Sequence, residues 1–560
     1  MCDEADANPR AVGSIVARWC LGEAREGFTF LSCGRAYGPA VTRPVDLDVR
    51  PAASGAPTVD TTTEPVTASR AGRSLALTTA GAVLLLAALS VLARVPSMFR
   101  PLSPDEGGFL MVAAQWAKGT SLYGDYWVDR PPLLIMLFQL ADLAGGPIGL
   151  RLLGAAWVGS SVLLAAALAR AALRLDAPFA RASRVAVIGA AATAAVFLVS
   201  PLFGATEVDG ELLAAPFVLA GLTAALTAYR STRAATWWWA VAGALAVAAA
   251  AVKQNMLEVF VAATVLLLAT ARRSPRTSAR SATAFGAGSA VCALALLGWA
   301  ALHGTTPAGI WDAVVSFRLE ASSVIAHSAP DTTHARALGV AGAFLGSGAL
   351  GLVLAALVPR RRPRGPSPST LLLSVTVVVL VWECIGVVAG GSYWLHYLVG
   401  TVPGLVLATA TSAERGRGRR IAVGAVLGYA GTVAAVGIIA TAIAPVGPPA
   451  ADLAVERYLA AHSQPGDTGV IAFGDPVLLE AAQLTSPYPE LWSLPVRVRD
   501  PHLTDLASVL TGPDRPTWVV VNGDSLDTWG VDASLAQPVL EREYEPVDTA
   551  GDWHIYHVRG

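Results

Sequence analysis

Ser103-Pro-Asp-Glu-Gly-Gly-Phe-Leu-Met-Val-Ala-Ala-Gln-Trp-Ala-Lys-Gly119, running on to Tyr123-Gly-Asp-Tyr-Trp-Val-Asp-Arg-Pro-Pro132, is the stretch on which the reading of this chain turns. It follows the first long apolar run and sets Asp105, Glu106 and Asp129 just outside a membrane. Ionisable groups at a bilayer edge are costly to keep and read as functional by default. Phe109, Leu110, Ala113, Ala114 and Ala117 recur at helical spacing, with Gln115 and Lys118 off that stripe. The pattern predicts a short helix lying on the membrane surface.

Outward from this stretch the composition is that of a polytopic membrane protein. Of 560 residues, 54% are hydrophobic and 14% charged, where a soluble domain carries about 25% charged residues. The mean hydropathy is +0.53. A net charge of −1, with no basic face interleaved with aromatics, argues against a nucleic-acid partner. The cysteines, Cys2, Cys20, Cys33, Cys292 and Cys384, show no metal-ligand spacing, so neither a disulfide framework nor a zinc site is expected.

Residues 1–73 read as a disordered cytoplasmic tail rich in Pro, Ala, Thr and Arg. Basic islands at Arg70–Arg73, Arg170–Arg184, Arg230–Arg233, Arg272–Arg280, Arg360–Arg364 and Arg415–Arg420 then mark cytoplasmic positions. Spans are expected near 75–96, 148–172, 185–200, 212–229, 236–252, 255–271, 281–302, 336–358, 369–390, 397–412 and 421–445. Pro131–Leu143 is apolar but short of the ~20 residues a spanning helix needs. If it crossed, the later basic islands would all lie outside, so it reads as a second juxtamembrane helix. This gives an all-α bundle of about eleven spans over residues 74–447, N-terminus inside. Residues 448–560 change character and read as a small external α/β unit. Its helix is expected at Leu453–Ala461, and its strands at Gly469–Gly474, Trp518–Gly523 and Trp553–Val558.

Each polar group near the outer face has a functional and a bland reading. Asp105 or Glu106 suits a general base that takes a proton from an acceptor hydroxyl, or equally a solvated acid or helix cap. Asp129 and Arg130 suit a phosphate grip and its orienting carboxylate, or a rim ion pair of little worth. Arg151 in the second span either faces a phosphate or snorkels. Lys253 is an anchor or a ligand-binding cation, and Glu383 sits inside an apolar run. His396 and Tyr397 close the last outer loop beside Tyr393 and Trp394, as an aromatic belt or a sugar platform. Gly346-Ser-Gly348-Ala-Leu-Gly351 matches a dinucleotide-binding pattern but lies in an apolar span, where small residues serve helix packing.

The order of these features resembles a known family. One span is followed by a Pro-Asp-Glu pair opening a helix, a Gly-x-x-x-Tyr stretch and an acidic–basic–Pro-Pro turn. Lys253-Gln-Asn255, His396-Tyr397 before a span containing Pro403-Gly404, and the C-terminal α/β unit follow. The chain is similar to the polyprenyl-phosphate-dependent glycosyltransferases of the GT-C membrane fold, in the protein O-mannosyltransferase and aminoarabinose-transferase branch. The resemblance implies that Asp105 is the acid–base residue, with Glu106 its neighbour and Asp129 the second active-site carboxylate. It implies that Arg130 contacts the lipid phosphate; Arg151, Lys253, His396 and Tyr397, read from the residues themselves, are further candidate donor-binding groups. The implied reaction moves sugar from a polyprenyl-phosphate donor to a glycan, lipid or protein acceptor on the outer face. It is expected to need neither a metal nor another cofactor. The competing reading is a transporter or lipid flippase. Transporters keep binding groups near the midplane in paired halves, whereas here the polar groups gather at one face and no inverted repeat is evident.

Overall fold

The computed structural model describes residues 70–117, 120–175, 183–327, 330–358, 368–413, 417–444 and 449–560. Residues 1–69 of the expected N-terminal tail and parts of the basic islands lie outside the described residues. Contacts divide the chain into Met1–Leu77 and Thr78–Gly560. Of the first unit only the helical start, Arg70–Leu77, is described; everything below concerns the second.

Each expected span falls on a helix, but the helices differ in length. Among the described residues eight are long and apolar enough to cross a membrane: Thr78–Phe99, Pro147–Leu173, Gly210–Arg230, Ala235–Val252, Pro275–Leu302, Thr370–Ala389, Leu395–Ala413 and Arg417–Ile443. A ninth candidate, Asp331–Gly346 with Ala349–Leu357, bends by 67° at its break. Gly348 in that break has φ +85°, a conformation side chains with a Cβ rarely adopt. Arg184–Phe197 and Glu258–Ala271 are shorter apolar helices, 14 residues each. The first ends just before a 3-10 turn opened by Pro201, and the second starts only after the Lys253–Leu257 turn. Pro132–Leu143 is a 12-residue helix, below spanning length, started by its prolines.

The bundle is organised around Leu395–Ala413. From Val402 to Ala413 every residue is buried, against Arg184–Phe197, Ala349–Leu357 and Pro368–Ala389. Hydroxyl pairs tie it to its neighbours: Thr193 with Thr409 at 2.9 Å, and Thr376 with Thr411 at 3.0 Å. In an apolar setting such pairs satisfy polar groups and specify which helices meet. Pro275–Leu302 and Arg417–Ile443 are mostly exposed and apolar, as lipid-facing helices are. Where Ala235–Val252 meets Pro275–Leu302, a Cβ on Gly288 would run into the carbonyl of Ala240, so glycine sets that close approach.

The C-terminal part carries a four-stranded sheet of order β1-β2-β4-β3, with β1 Gly469–Ala472, β2 Trp518–Asn522, β3 Tyr544–Ala550 and β4 Trp553–Val558. β1 and β2 are parallel, and β4 pairs antiparallel with both β2 and β3. Val470, Val519 and Val521 face Leu506, Leu510 and Leu540 in a core of its own. Three strands lie where the sequence places them, and the expected helix runs Ala450–His462. β3 is the missing fourth. It is an edge strand with five exposed positions, Pro546 and two acids, a composition that protects an edge from pairing and hides it from pattern reading.

The helix expected on the membrane surface, Pro104–Ala117, is instead covered on its outer side by this α/β part. Glu106 to Ala113 are all buried. A Cβ on Gly107 would meet Val477, and one on Gly108 would overlap the Trp492 ring. The Gly107-Gly108 pair therefore exists to let the C-terminal part press against this helix, which is why a one-sided apolar stripe is not the right description.

Candidate active site

The sequence builds the site from six segments that the fold gathers at one end of the bundle. Ser103 and Glu106 form a reciprocal cap that starts the first helix. The Glu106 N–H donates to Ser103 Oγ at 3.3 Å and the Ser103 N–H donates to Glu106 Oε2 at 2.9 Å. This fixes Asp105 in the first turn with its side chain 41% exposed. Arg130 Nη2 lies 3.8 Å from Asp105 Oδ2, and the same guanidinium pairs with Asp129 Oδ1. The far oxygen of Asp129 pairs at 2.5 Å with Arg318 Nη2, from the helix Phe317–His327. Burial would raise the Asp129 carboxyl, but the Arg130 and Arg318 charges outweigh it and hold it below its ordinary value. Arg130 is shifted the other way. Burial lowers it, yet Asp129 and Asp105, then Tyr397 and Glu211, raise it overall, so it stays charged.

The second half of the site comes from the bundle's own loops. Asp209 caps Gly210–Arg230, Oδ1 accepting from the Leu212 N–H at 2.8 Å. Glu211 follows in the first turn, ion-paired to Lys253. The Lys253 ammonium also stands over the Tyr397 ring, 4.9 Å from its centroid. His396 Nδ1 lies 3.7 Å from Asp209 Oδ2. Burial, and then the Glu211 charge, push the Asp209 carboxyl well above its usual range. Glu207, one turn of chain earlier, is pushed up to about 7 by burial and then by Glu106 and Asp105, against Arg151 and Arg100. A small cavity of about 10 Å³, room for one water, lies beside Glu211, Asn255, Glu258, Glu383 and Tyr397.

The structure thus brings Asp105, Asp129 and Arg130 together, and Lys253, His396 and Tyr397 together. Glu106 and Arg151, expected at the same site, are instead paired with each other. Both guanidinium ends of Arg151 grip Glu106, and Arg151 Nη2 also donates to Pro101 O at 3.0 Å. Glu106 Oε1 accepts from the Val208 N–H as well, at 2.8 Å. At 2% and 3% exposure the pair is spent on itself and on three backbone segments. It pins the start of the Asp105 helix to the second span and to the Glu207 loop.

Two features escape sequence reasoning. Arg318 is a single cation on the helix Phe317–His327, and no local pattern marks it. Asp209, Glu211 and His396 offer ligand atoms within 4.8 Å of one another, close enough to share a metal ion, where sequence spacing indicates no metal site. Their separation along the chain hides the grouping. Lys253 already lies on Glu211, so an ammonium group competes for the same charge.

This arrangement defines a class of membrane fold: a GT-C-like helical bundle with charged groups at one end, under a small α/β part. The particular likeness is to ArnT from Cupriavidus metallidurans, in a crystal structure bound to undecaprenyl phosphate. It matches over 85% of this chain and 98% of that chain, with a TM-score of 0.56 and 15% sequence identity. The apo form of the same protein gives 0.55 and 14% over the same shares. No protein-family model matches the chain, and no curated protein matches it by sequence.

Proposed function

We propose that this chain is an integral membrane glycosyltransferase that moves a sugar from a polyprenyl-phosphate donor to an acceptor hydroxyl on the extracytoplasmic face. The observation that carries the reading is the Asp105–Arg130–Asp129–Arg318 constellation. It combines a half-exposed carboxylate with two guanidinium groups that a second, mostly buried carboxylate contacts. The ArnT fold, seen with undecaprenyl phosphate in that protein, supports a lipid-phosphate donor.

Chemically, the acceptor oxygen attacks the anomeric carbon while Asp105 takes its proton. The bond from that carbon to the phosphate oxygen breaks, and the phosphate leaves with the electron pair. Arg130 and Arg318 take up the charge that develops on it. A guanidinium has five N–H donors, and Asp129 occupies only some of them. Arg318 Nε has no hydrogen-bond partner among the described residues, and the side chain is partly exposed, so part of its donor capacity is open to a phosphate. Asp129 orients the two cations, Glu106 and Arg151 hold the Asp105 helix, and Lys253, Tyr397 and His396 line the sugar side.

Arg130→Ala and Arg318→Ala should each weaken donor binding by about 10- to 100-fold, the worth of a charge-assisted hydrogen bond. Titration of each purified variant with a polyprenyl-phosphate sugar checks this, and unchanged affinity in both would remove the phosphate grip. The topology belongs to the same proposal, with the N-terminus inside and residues 448–560 outside. A cysteine placed at Gly523 should react with an impermeant reagent added to intact cells, and reaction only after lysis would invert the assignment.

A further inference from the structure

Asp129 and Arg318 sit on segments far apart in the sequence, and a layer behind them sets their 2.5 Å contact. Trp127, two residues before Asp129, packs on Phe317, the residue before Arg318, with ring centroids 4.4 Å apart. Both rings are buried, with Ala313 and Ala321 around them and Leu494 and Val498 closing the contact from the C-terminal part. The Trp127 N–H donates to Pro489 O at 2.9 Å, so its backbone is fixed to that part as well.

One side chain of the C-terminal part touches both carriers of the pair. The Arg499 guanidinium lies over the Trp127 ring, 4.6 Å from its centroid. Its Nε donates to Glu490 Oε1 at 2.9 Å, and its Nη1 lies 3.4 Å from Asp312 Oδ2. Asp312 opens a π-helical turn, Asp312–Ser316, that leads directly into Phe317. The extra residue of such a turn rotates the side chains that follow by about 100°, so the turn aims Phe317 and Arg318. The Asp312 contact is exposed and contributes little alone. The stack on a buried tryptophan, anchored by the buried Glu490, carries the weight.

We infer that Arg499 is a positioning residue for the donor phosphate, and that the C-terminal α/β part is a working wall of the site. Through Trp127 and Asp312 it sets Arg318 against Asp129. The inference rests on the proposed reading of Arg318 as a phosphate-gripping cation. Arg499→Lys keeps the charge but loses the planar stack together with the fork that reaches Glu490 and Asp312 at once. Arg499→Ala loses all three contacts.

The test uses the full chain in detergent with two readouts. Hydrogen exchange needs no donor. Arg499→Ala should speed exchange at least about tenfold in 123–130 and 307–327, with the spans unchanged, and Arg499→Lys should give an intermediate effect. In turnover, Arg499→Ala should raise the KM for a polyprenyl-phosphate sugar by about tenfold and lower kcat as well, because Arg318 both grips the phosphate and takes up the charge that develops on it. Unchanged exchange would overturn the inference, and so would faster exchange with an unchanged donor KM. If Arg499→Ala unfolds globally, Arg499→Lys carries the same two comparisons. A wild-type chain that turns over no donor would sink the proposed function alone, since exchange would still report whether Arg499 holds the Arg318 helix.

Discussion

Asp105→Asn is expected to lower turnover by roughly 10²–10⁴-fold while donor affinity stays nearly unchanged. The substitution keeps the shape and the hydrogen-bonding reach of the side chain but removes its capacity to accept a proton. Asp105 is 41% exposed and touches Arg130 only at 3.8 Å, so it is available to an incoming acceptor and contributes little to holding the helix. The Ser103–Glu106 cap and the Glu106–Arg151 pair do that, and both survive the change. Turnover and donor affinity, measured on protein of normal unfolding midpoint, check the prediction. A variant with normal turnover would move the chemistry to Glu207, Asp209 and Glu211, the next acids at the same mouth.

Arg151→Ala is expected to act in the opposite way, on stability first. Removing one partner of a buried ion pair leaves the other charge uncompensated, at a cost of about 3–5 kcal/mol. Glu106 would keep the Ser103 and Val208 N–H groups but lose both guanidinium contacts. Three segments would loosen together: the end of the first span through Pro101, the Asp105 helix, and the Glu207 loop. A marked fall in the unfolding midpoint in detergent is the expected readout. The double variant Glu106→Gln with Arg151→Met should recover much of it, because replacing both charges is less costly than orphaning one. If Arg151→Ala unfolds like the wild type, the pair is not the fixture described here.

The contrast between these two acids shows what the sequence can and cannot tell. Asp105 and Glu106 are neighbours, and the rule that acids at a bilayer edge are functional marks them equally. Only the fold separates them. A helix turn sends one side chain outward to Arg130 and the other inward to Arg151. From sequence alone Arg151 reads as a phosphate contact or a snorkelling side chain, because its partner Glu106 lies 45 positions away in the chain. The spans, by contrast, are legible because each is a local apolar run bounded by charge, and local runs need no partner to be recognised. Even there, length is set by what ends each helix, as Pro201 and the Lys253–Leu257 turn show. β3 is hard to read because its exposed, proline-bearing edge carries neither the buried apolar run that marks β1 and β2 nor the alternation of β4. Arg318 is the clearest case: its partner Asp129 is far away in the chain, and the pair lies beside the Trp127–Phe317 ring contact, which no local pattern shows.

The central claim is tested most directly by incubating the purified full-length chain with a panel of polyprenyl-phosphate sugars and acceptor hydroxyl compounds, and measuring released polyprenyl phosphate. The account predicts release with at least one donor by the wild type, and roughly 10²–10⁴-fold slower release by Asp105→Asn. No release from any donor, or equal release by both proteins, would contradict it.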